Sequence, residues 1–305
     1  MATPERDRVE LVPNGGWDER ILVCSCGPLV NSFIVVTARY LIFVDTLINS
    51  ATAGALLAIA EPWRAGRQLL AINTHADWDH AWGNHMFVGS QAPAPAPIIA
   101  SRRCAERLRS PEAAEELAAM QAREPGRFDD VRLTPPTLLF EERLTIDGGD
   151  LTLELFATPG HRADHISIFI PELRALLAGD AAELPFPFVE SAATMPDLRA
   201  SLARLVALEP QTALYCHAPV GAGPDLLRQN SAYFDLVEGR CRKALARGVP
   251  AQPPADADLE ELVEFPFAEA VPAGYDPAAL EESYRPGHQA TLRAMLEHLG
   301  GLLLS

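Results

Sequence analysis

At four places in this chain an apolar run of strand character stops on an imidazole or a carboxylate. "LLAIN" leads into His75, Asp77, Asp79 and His80, "LELFATPG" into His161, "ALLAG" into Asp180, and "ALYC" into His217. Loops at strand ends are free to project polar side chains over a rigid sheet, so this repetition calls for several strands that deliver their ends together. Divalent metals with vacant positions need a few fixed N and O ligands on groups that cannot easily move. The pattern is therefore that of a dinuclear metal site carried on a strand-rich scaffold.

The remaining segments fit such a scaffold. "ILVCSCGPLVNSFIVVT" and "YLIFVDT" read as adjacent strands meeting near Ala38 and Arg39. A helix of small and aliphatic residues follows, with Ser50 or Thr52 as its cap, and then the strand "QLLAIN". "QAPAPAP" cannot hold a helix; it feeds the strand "IIA" and a charged amphipathic helix from Ser101 to about Arg123. "TLLFEERLTIDGGDLTLELFATPGH" alternates like a hairpin with a Gly-Gly turn, and "ISIFIPELRALLAGD" repeats the pattern around Pro171. Helices are expected at Asp197–Leu208, Pro224–Arg247 and about Pro277–Leu299, the last preceded by the Pro-rich acidic linker "VPAQPPADADLEELVEFP".

Charge narrows the partners. With 25 Lys and Arg against 41 Asp and Glu, the formal charge of −16 opposes a phosphate backbone, so nucleic acid is not expected. No apolar run reaches the roughly 18 residues needed to span a bilayer, so no membrane is expected either. The charged start "MATPERDRVE" does not look like a signal peptide, and five cysteines make no disulfide framework, so a cytoplasmic location is expected. "CSC" at Cys24–Cys26 reads as a strand edge and not as half of a metal site.

The order of these residues resembles the metallo-β-lactamase-fold hydrolases, whose signature is His-x-His-x-Asp-His followed by a later His, an Asp and a final His. Here the chain reads His75-Ala-Asp77-Trp-Asp79-His80, then His161 in "TPGH", Asp180 in "AGD" and His217 in "CHAP". The resemblance covers about residues 20 to 220, "VNSFIVV" and "LIFVDT" included. It implies an α+β fold, a four-layer αββα sandwich, in a single domain over 1–305 with its core at about 20–222 and a helical C-terminal extension over about 223–305. It also implies His75, Asp77 and His161 on one metal and Asp79, His80 and His217 on the other. Asp180 would bridge the two, and Asp79 would be the catalytic carboxylate. A hydroxide between the metals would cleave a small ester, thioester, lactone or related bond.

Asp77 departs from the pattern, which has histidine there. The added carboxylate should tilt preference from zinc towards manganese or iron, and its short reach should leave one of the two sites weak. It resembles the flavodiiron branch, so a di-iron or mono-iron oxidoreductase, or a non-catalytic ligand-binding member, stays an alternative. Candidate pocket walls are Phe186 and Phe188 in "LPFPF", and Tyr284 and His288 in "YRPGHQ". These suit a small-molecule substrate with an apolar arm; assembly as a homo-oligomer is left open. By the same resemblance Asp45 is expected near the site, orienting the ligand loop; His85 and His165 are expected to be structural or to support the ligands from behind, Trp78 and Trp82 to be core, and His298 to lie on the surface at a helix end.

Overall fold

The computed structural model describes residues 5–16, 18–89 and 91–304. β-Branched runs near the start build an antiparallel meander of β1 (Val9–Val12), β2 (Ile21–Cys26), β3 (Val30–Val36) and β4 (Tyr40–Val44). The first long apolar run is thus two strands. It breaks at Gly27, whose φ of +54° suits glycine and where a Cβ would lie 2.6 Å from the Arg6 carbonyl. The expected turn at Ala38 and Arg39 does join β3 to β4, closed by Thr37 N–H donating to the Tyr40 carbonyl at 2.9 Å.

From β4 the pairing becomes parallel, because each return passes through helix. α1 (Ser50–Ala60) leads to β5 (Gln68–Ile72), which pairs parallel with β4. Its cap is Asn49, not Ser50 or Thr52: the Asn49 side chain accepts from Thr52 N–H while the Thr52 hydroxyl takes the Asn49 N–H, a reciprocal capping box. β5 ends in the ligand loop and α2 (Trp78–Ala81), and β6 (Ile98–Ser101) then pairs parallel with β5. The expected helix from Ser101 to Arg123 is two helices, α3 (Arg102–Leu108) and α4 (Pro111–Arg123). Ser110 restarts the helix by accepting from Ala113 N–H, with Pro111 in the first turn, where its missing N–H costs nothing. β7 (Leu138–Phe140) completes a seven-stranded sheet beside β6, so "TLLF" pairs with a distant strand and not with the hairpin that follows it.

The Gly-Gly hairpin joins β8 (Arg143–Asp147) to β9 (Thr152–Ala157), followed by β10 (Ile166–Ile170), β11 (Ala175–Leu177) and β12 (Thr212–Leu214) in a five-stranded sheet ordered β12-β11-β10-β9-β8. Residues of both sheets, among them Phe33, Ile42, Leu153 and Ile168, share one apolar core. β9 and β11 are each antiparallel to β10, and β12 is parallel to β11, so the carboxyl ends of these three strands lie along one edge.

The chain divides into two compact units. The first holds the described residues up to Ala157, Asp164–Gly179 and Gln211–Gly221, and therefore both sheets. The second holds Thr158–Ala163, Asp180–Pro210 and the described residues from Ala222 on. It contains α5 (Met195–Ala207), α6 (Asp225–Ala246), α7 (Leu259–Val263), α8 (Phe267–Ala270) and α9 (Pro277–Leu304). α7 lies inside the acidic segment read as linker, where Asp258 caps it by accepting from the N–H groups of Glu260 and Glu261. α6 packs on α9, and within this unit Phe186 stacks on Tyr233 at 4.1 Å between ring centroids.

All five cysteines are buried thiols, Cys24 and Cys26 within β2. Burial pushes Cys24, Cys26 and Cys241 up to about 12 and Cys104 well above the ordinary thiol range. Among the described residues no helix is long and apolar enough to cross a membrane.

Candidate metal centre

The ligand loop in the first unit is held by backbone and side-chain ties before any metal is considered. Asn73 and Asn84 exchange side-chain amide hydrogen bonds at 2.9 and 2.8 Å. Thr46 N–H donates to the His80 carbonyl at 2.7 Å, and Gly83 lies so close that a Cβ there would fall 2.1 Å from the Thr46 carbonyl oxygen. Asp45, fully buried with φ at +67°, accepts from Thr74 N–H at 2.7 Å, the Thr74 hydroxyl at 2.8 Å and His80 Nδ1 at 2.8 Å. The orienting role expected of Asp45 has these contacts behind it.

These ties decide which ring nitrogen of each histidine carries the proton. A carboxylate or a carbonyl can only accept, so His80 Nδ1–H donates to Asp45, and His217 Nδ1–H donates to the Leu29 carbonyl at 2.8 Å. The Thr74 hydroxyl spends its proton on Asp45 and accepts from His75 Nδ1–H at 3.0 Å. In each neutral ring the lone pair is then on Nε2. His80 Nε2 faces Asp79 Oδ1 at 3.6 Å, and His217 Nε2 faces Asp79 Oδ2 at 3.4 Å. Donor atoms of Asp79, His80 and His217 all lie within 4.8 Å of one another.

Two lone pairs turned on one carboxylate repel unless a cation lies between them. Two histidines and a carboxylate are also a donor set that zinc accepts while keeping a vacant position. The residues present therefore fit a divalent metal. Asp79 and His80 are buried, and the His80 ring lies 4.1 Å from that of His75 and 5.6 Å from that of His217. The first unit thus brings together His75, Asp77, Asp79, His80 and His217.

Asp77 has a partner that the sequence did not announce. Its Oδ1 is ion-paired with Arg107 of α3, while its Oδ2 faces His75 Nε2 at 3.6 Å. Arg107 also reaches Asp164 Oδ1 at 3.4 Å, and Asp164 Oδ2 accepts from Ala76 N–H at 2.8 Å. Burial works against the guanidinium's charge, but Asp77 and Asp164 outweigh it and hold Arg107 above its ordinary range.

In the second unit His161 and Asp180 come together, with His161 Nε2 facing Asp180 Oδ2 at 3.7 Å. His161 Nδ1–H donates to the Phe188 carbonyl at 3.2 Å, which again leaves Nε2 as the lone-pair nitrogen. Glu183, not among the residues expected from sequence, joins them: its Oε1 lies 3.6 Å from His161 Nδ1, and its Oε2 accepts from the Tyr284 hydroxyl at 3.0 Å. Nothing in the local spacing marks Glu183, although it follows Asp180 closely. Of the four pocket candidates, Phe188 is half-buried and stacked on Tyr284 at 5.2 Å. Phe186 and His288 are fully buried in the helical core; the His288 ring is fixed between the Tyr233 hydroxyl at 2.9 Å and the Phe265 carbonyl at 2.8 Å.

His165 is buried with its ring 5.1 Å from that of His75, and half-buried His85 bonds to the Ser50 hydroxyl at 2.7 Å and the Trp82 carbonyl at 3.0 Å. Trp82 is buried and Trp78 half-buried, both edge-on to Phe128. His298 is half-buried within α9, because that helix runs on past Leu299.

Comparison with known proteins bears on the fold and the family. Among curated proteins none matches. A metallo-beta-lactamase family protein from Thermus thermophilus is 22% identical with a TM-score of 0.61, over 90% of this chain and 89% of its own. A metallo-beta-lactamase from Pontibacter korlensis is 16% identical with a TM-score of 0.56, over 75% of this chain and 99% of its own. The sec-alkylsulfatase Pisa1 from Pseudomonas sp. is 17% identical with a TM-score of 0.61, over 92% of this chain but 49% of its own length. These likenesses give the α+β metallo-β-lactamase fold with a C-terminal helical region. The family model of the metallo-beta-lactamase superfamily, generally metal-dependent hydrolases, matches residues 27–217. With well over half its length matched, this chain belongs to the metallo-beta-lactamase superfamily.

Proposed function

We propose that the protein is a metal-dependent hydrolase of a small ester, thioester, lactone or related bond. The observation that carries this reading is the set Asp79, His80 and His217, whose two imidazoles are committed at Nδ1 to fixed acceptors and so present Nε2 to one cation. A divalent metal bound there would supply Lewis acidity and lower the pKa of a water it holds towards about 7. The chain's part is to fix the ligands: Asp45 and Leu29 set the ring orientations, and Asp79 offers one oxygen to each ring. The resemblance adds His75, Asp77 and His161 as ligands of a second ion, with Asp180 shared between the two; that assignment rests on the sequence.

The charge of −16 favours an uncharged substrate over a polyanion. The stacked pair Phe188 and Tyr284, close in the chain or by contact to His161 and Glu183, suits an apolar substrate arm. The test is a hydrolysis screen of esters, thioesters, lactones, phosphodiesters and, given the alkylsulfatase among similar folds, secondary sulfate esters. Zinc, manganese and iron(II) are added in parallel to chelator-stripped protein, with His217→Ala as control. Turnover that needs metal and His217 supports the reading; metal uptake with no turnover on any ester class sinks it.

A second reading has one observation in its favour. Two histidines with one carboxylate also serve oxygen-activating iron enzymes. Oxygen consumption by the iron(II) protein, absent with zinc, would move the assignment there.

A further inference from the structure

Asp77 adds a negative charge where the related motif has a neutral ring, and Arg107 brings a positive charge to the same carboxylate. Building on the metal-binding reading above, we propose that Arg107 is a built-in counter-cation for Asp77. Together they amount to the neutral side chain they replace, and they keep the His75–Asp77 position a weak metal site while Asp79, His80 and His217 form the tight one.

The geometry divides the Asp77 carboxylate between two tasks. Oδ1 is held by Arg107, and Oδ2 is turned to His75 Nε2 at 3.6 Å, so an ion gripped by His75 and Asp77 would share its carboxylate with a guanidinium. Arg107 has little freedom to leave. Asp164 anchors its other nitrogen, and Asp164 is itself fixed at both ends, its Oδ2 by Ala76 N–H and its carbonyl by the Ser101 hydroxyl at 2.8 Å. That hydroxyl also accepts from Cys104 N–H at 3.0 Å as the cap of α3, the helix that carries Arg107. The clamp therefore spans the ligand loop, the start of α3 and the segment before β10, all inside the first unit.

The sign of the effect follows from Coulomb's law. A fixed positive charge a few ångströms from a divalent ion, even screened as in water, opposes binding by about tenfold. Without that charge, Asp77 becomes a full anion beside His75. The preference for harder, oxygen-seeking ions that an added carboxylate would bring is then expected in a variant lacking Arg107 and is muted in the native chain.

The test titrates chelator-stripped protein with zinc and with manganese by calorimetry, with bound metal counted by mass spectrometry. The native chain should take one tight equivalent and a weak second. Arg107→Met should bind the second equivalent at least about tenfold more tightly, more so for manganese, and leave the first unchanged. Arg107→Lys should resemble the native chain, and the double variant Asp77→Asn, Arg107→Met should lose the gain. If Arg107→Met does not fold, Arg107→Gln, which keeps a donor without the charge, carries the same expectation. Two tight equivalents in the native chain, or a second site unchanged or weakened in the uncharged variants, overturn the proposal. Absence of metal uptake in every form overturns both this and the metal-binding reading. Metal uptake as expected with an empty hydrolysis screen sinks only the proposed activity.

Discussion

Asp45 Oδ2 and His80 Nδ1 lie 2.8 Å apart in a fully buried pair, and the same oxygen takes the Thr74 hydroxyl proton at 2.8 Å. One carboxylate thereby sets the ring of His80 directly and that of His75 through Thr74. In Asp45→Asn the amide can turn an N–H towards His80 Nδ1 and favour the wrong tautomer. Metal affinity measured by chelator competition should fall by about ten- to hundredfold, with the far-ultraviolet spectrum unchanged. Unaltered affinity would remove Asp45 from the metal centre.

Loss of a ligand should be more severe. His80→Ala, His217→Ala and Asp180→Ala should each abolish hydrolysis and lower the metal bound per chain, whereas His298→Ala, half-buried in α9, should change neither. Equal behaviour of all four would break the ligand assignment.

Gly83 tests the packing beneath the loop. A methyl group there would strike the Thr46 carbonyl oxygen, a backbone atom that cannot swing aside. Thr46 also binds the His80 carbonyl, so Gly83→Ala should destabilise by about 2 kcal/mol or more and weaken metal binding together. Thermal unfolding read against metal affinity checks the pairing; a loss in one without the other would separate the loop from the core.

Acid should weaken the second unit through His288. Burial lowers its pKa below the ordinary value of 6.5, although its bond to the Phe265 carbonyl and the charge of Glu260 act the other way. The unfolded chain then binds the proton more readily than the folded one, so stability is full above 6.5 and falls as pH drops below it. Between pH 7 and 5.5 the native melting temperature should decline more than that of His288→Gln. Parallel declines would show that His288 does not titrate on unfolding.

Much of this was legible in the chain. Strands ending on ligands, in a fixed order, gave the family and the α+β class, because both depend on local runs and short spacings. Asp45 could be anticipated only through the family resemblance. Arg107 and Glu183 could not: Arg107 meets Asp77 only because α3, which begins directly after β6, carries it back to the ligand loop, and Glu183 gains its role from Tyr284 on α9. The split between α3 and α4 had a local signal in Ser110-Pro111, overridden by the amphipathic pattern around it. β7 looked like part of a hairpin because its partner, β6, lies far back in the sequence.

The concealed thiols give the two units separate clocks. Cys241 in α6 is the one cysteine of the second unit, and Cys104 in α3 lies in the first. A thiol held protonated in the interior reacts with an alkylating reagent only when its surroundings open. The time at which each of these two becomes modified therefore dates the breathing of the helical unit and of the sheet-bearing one independently, with no label added to the chain.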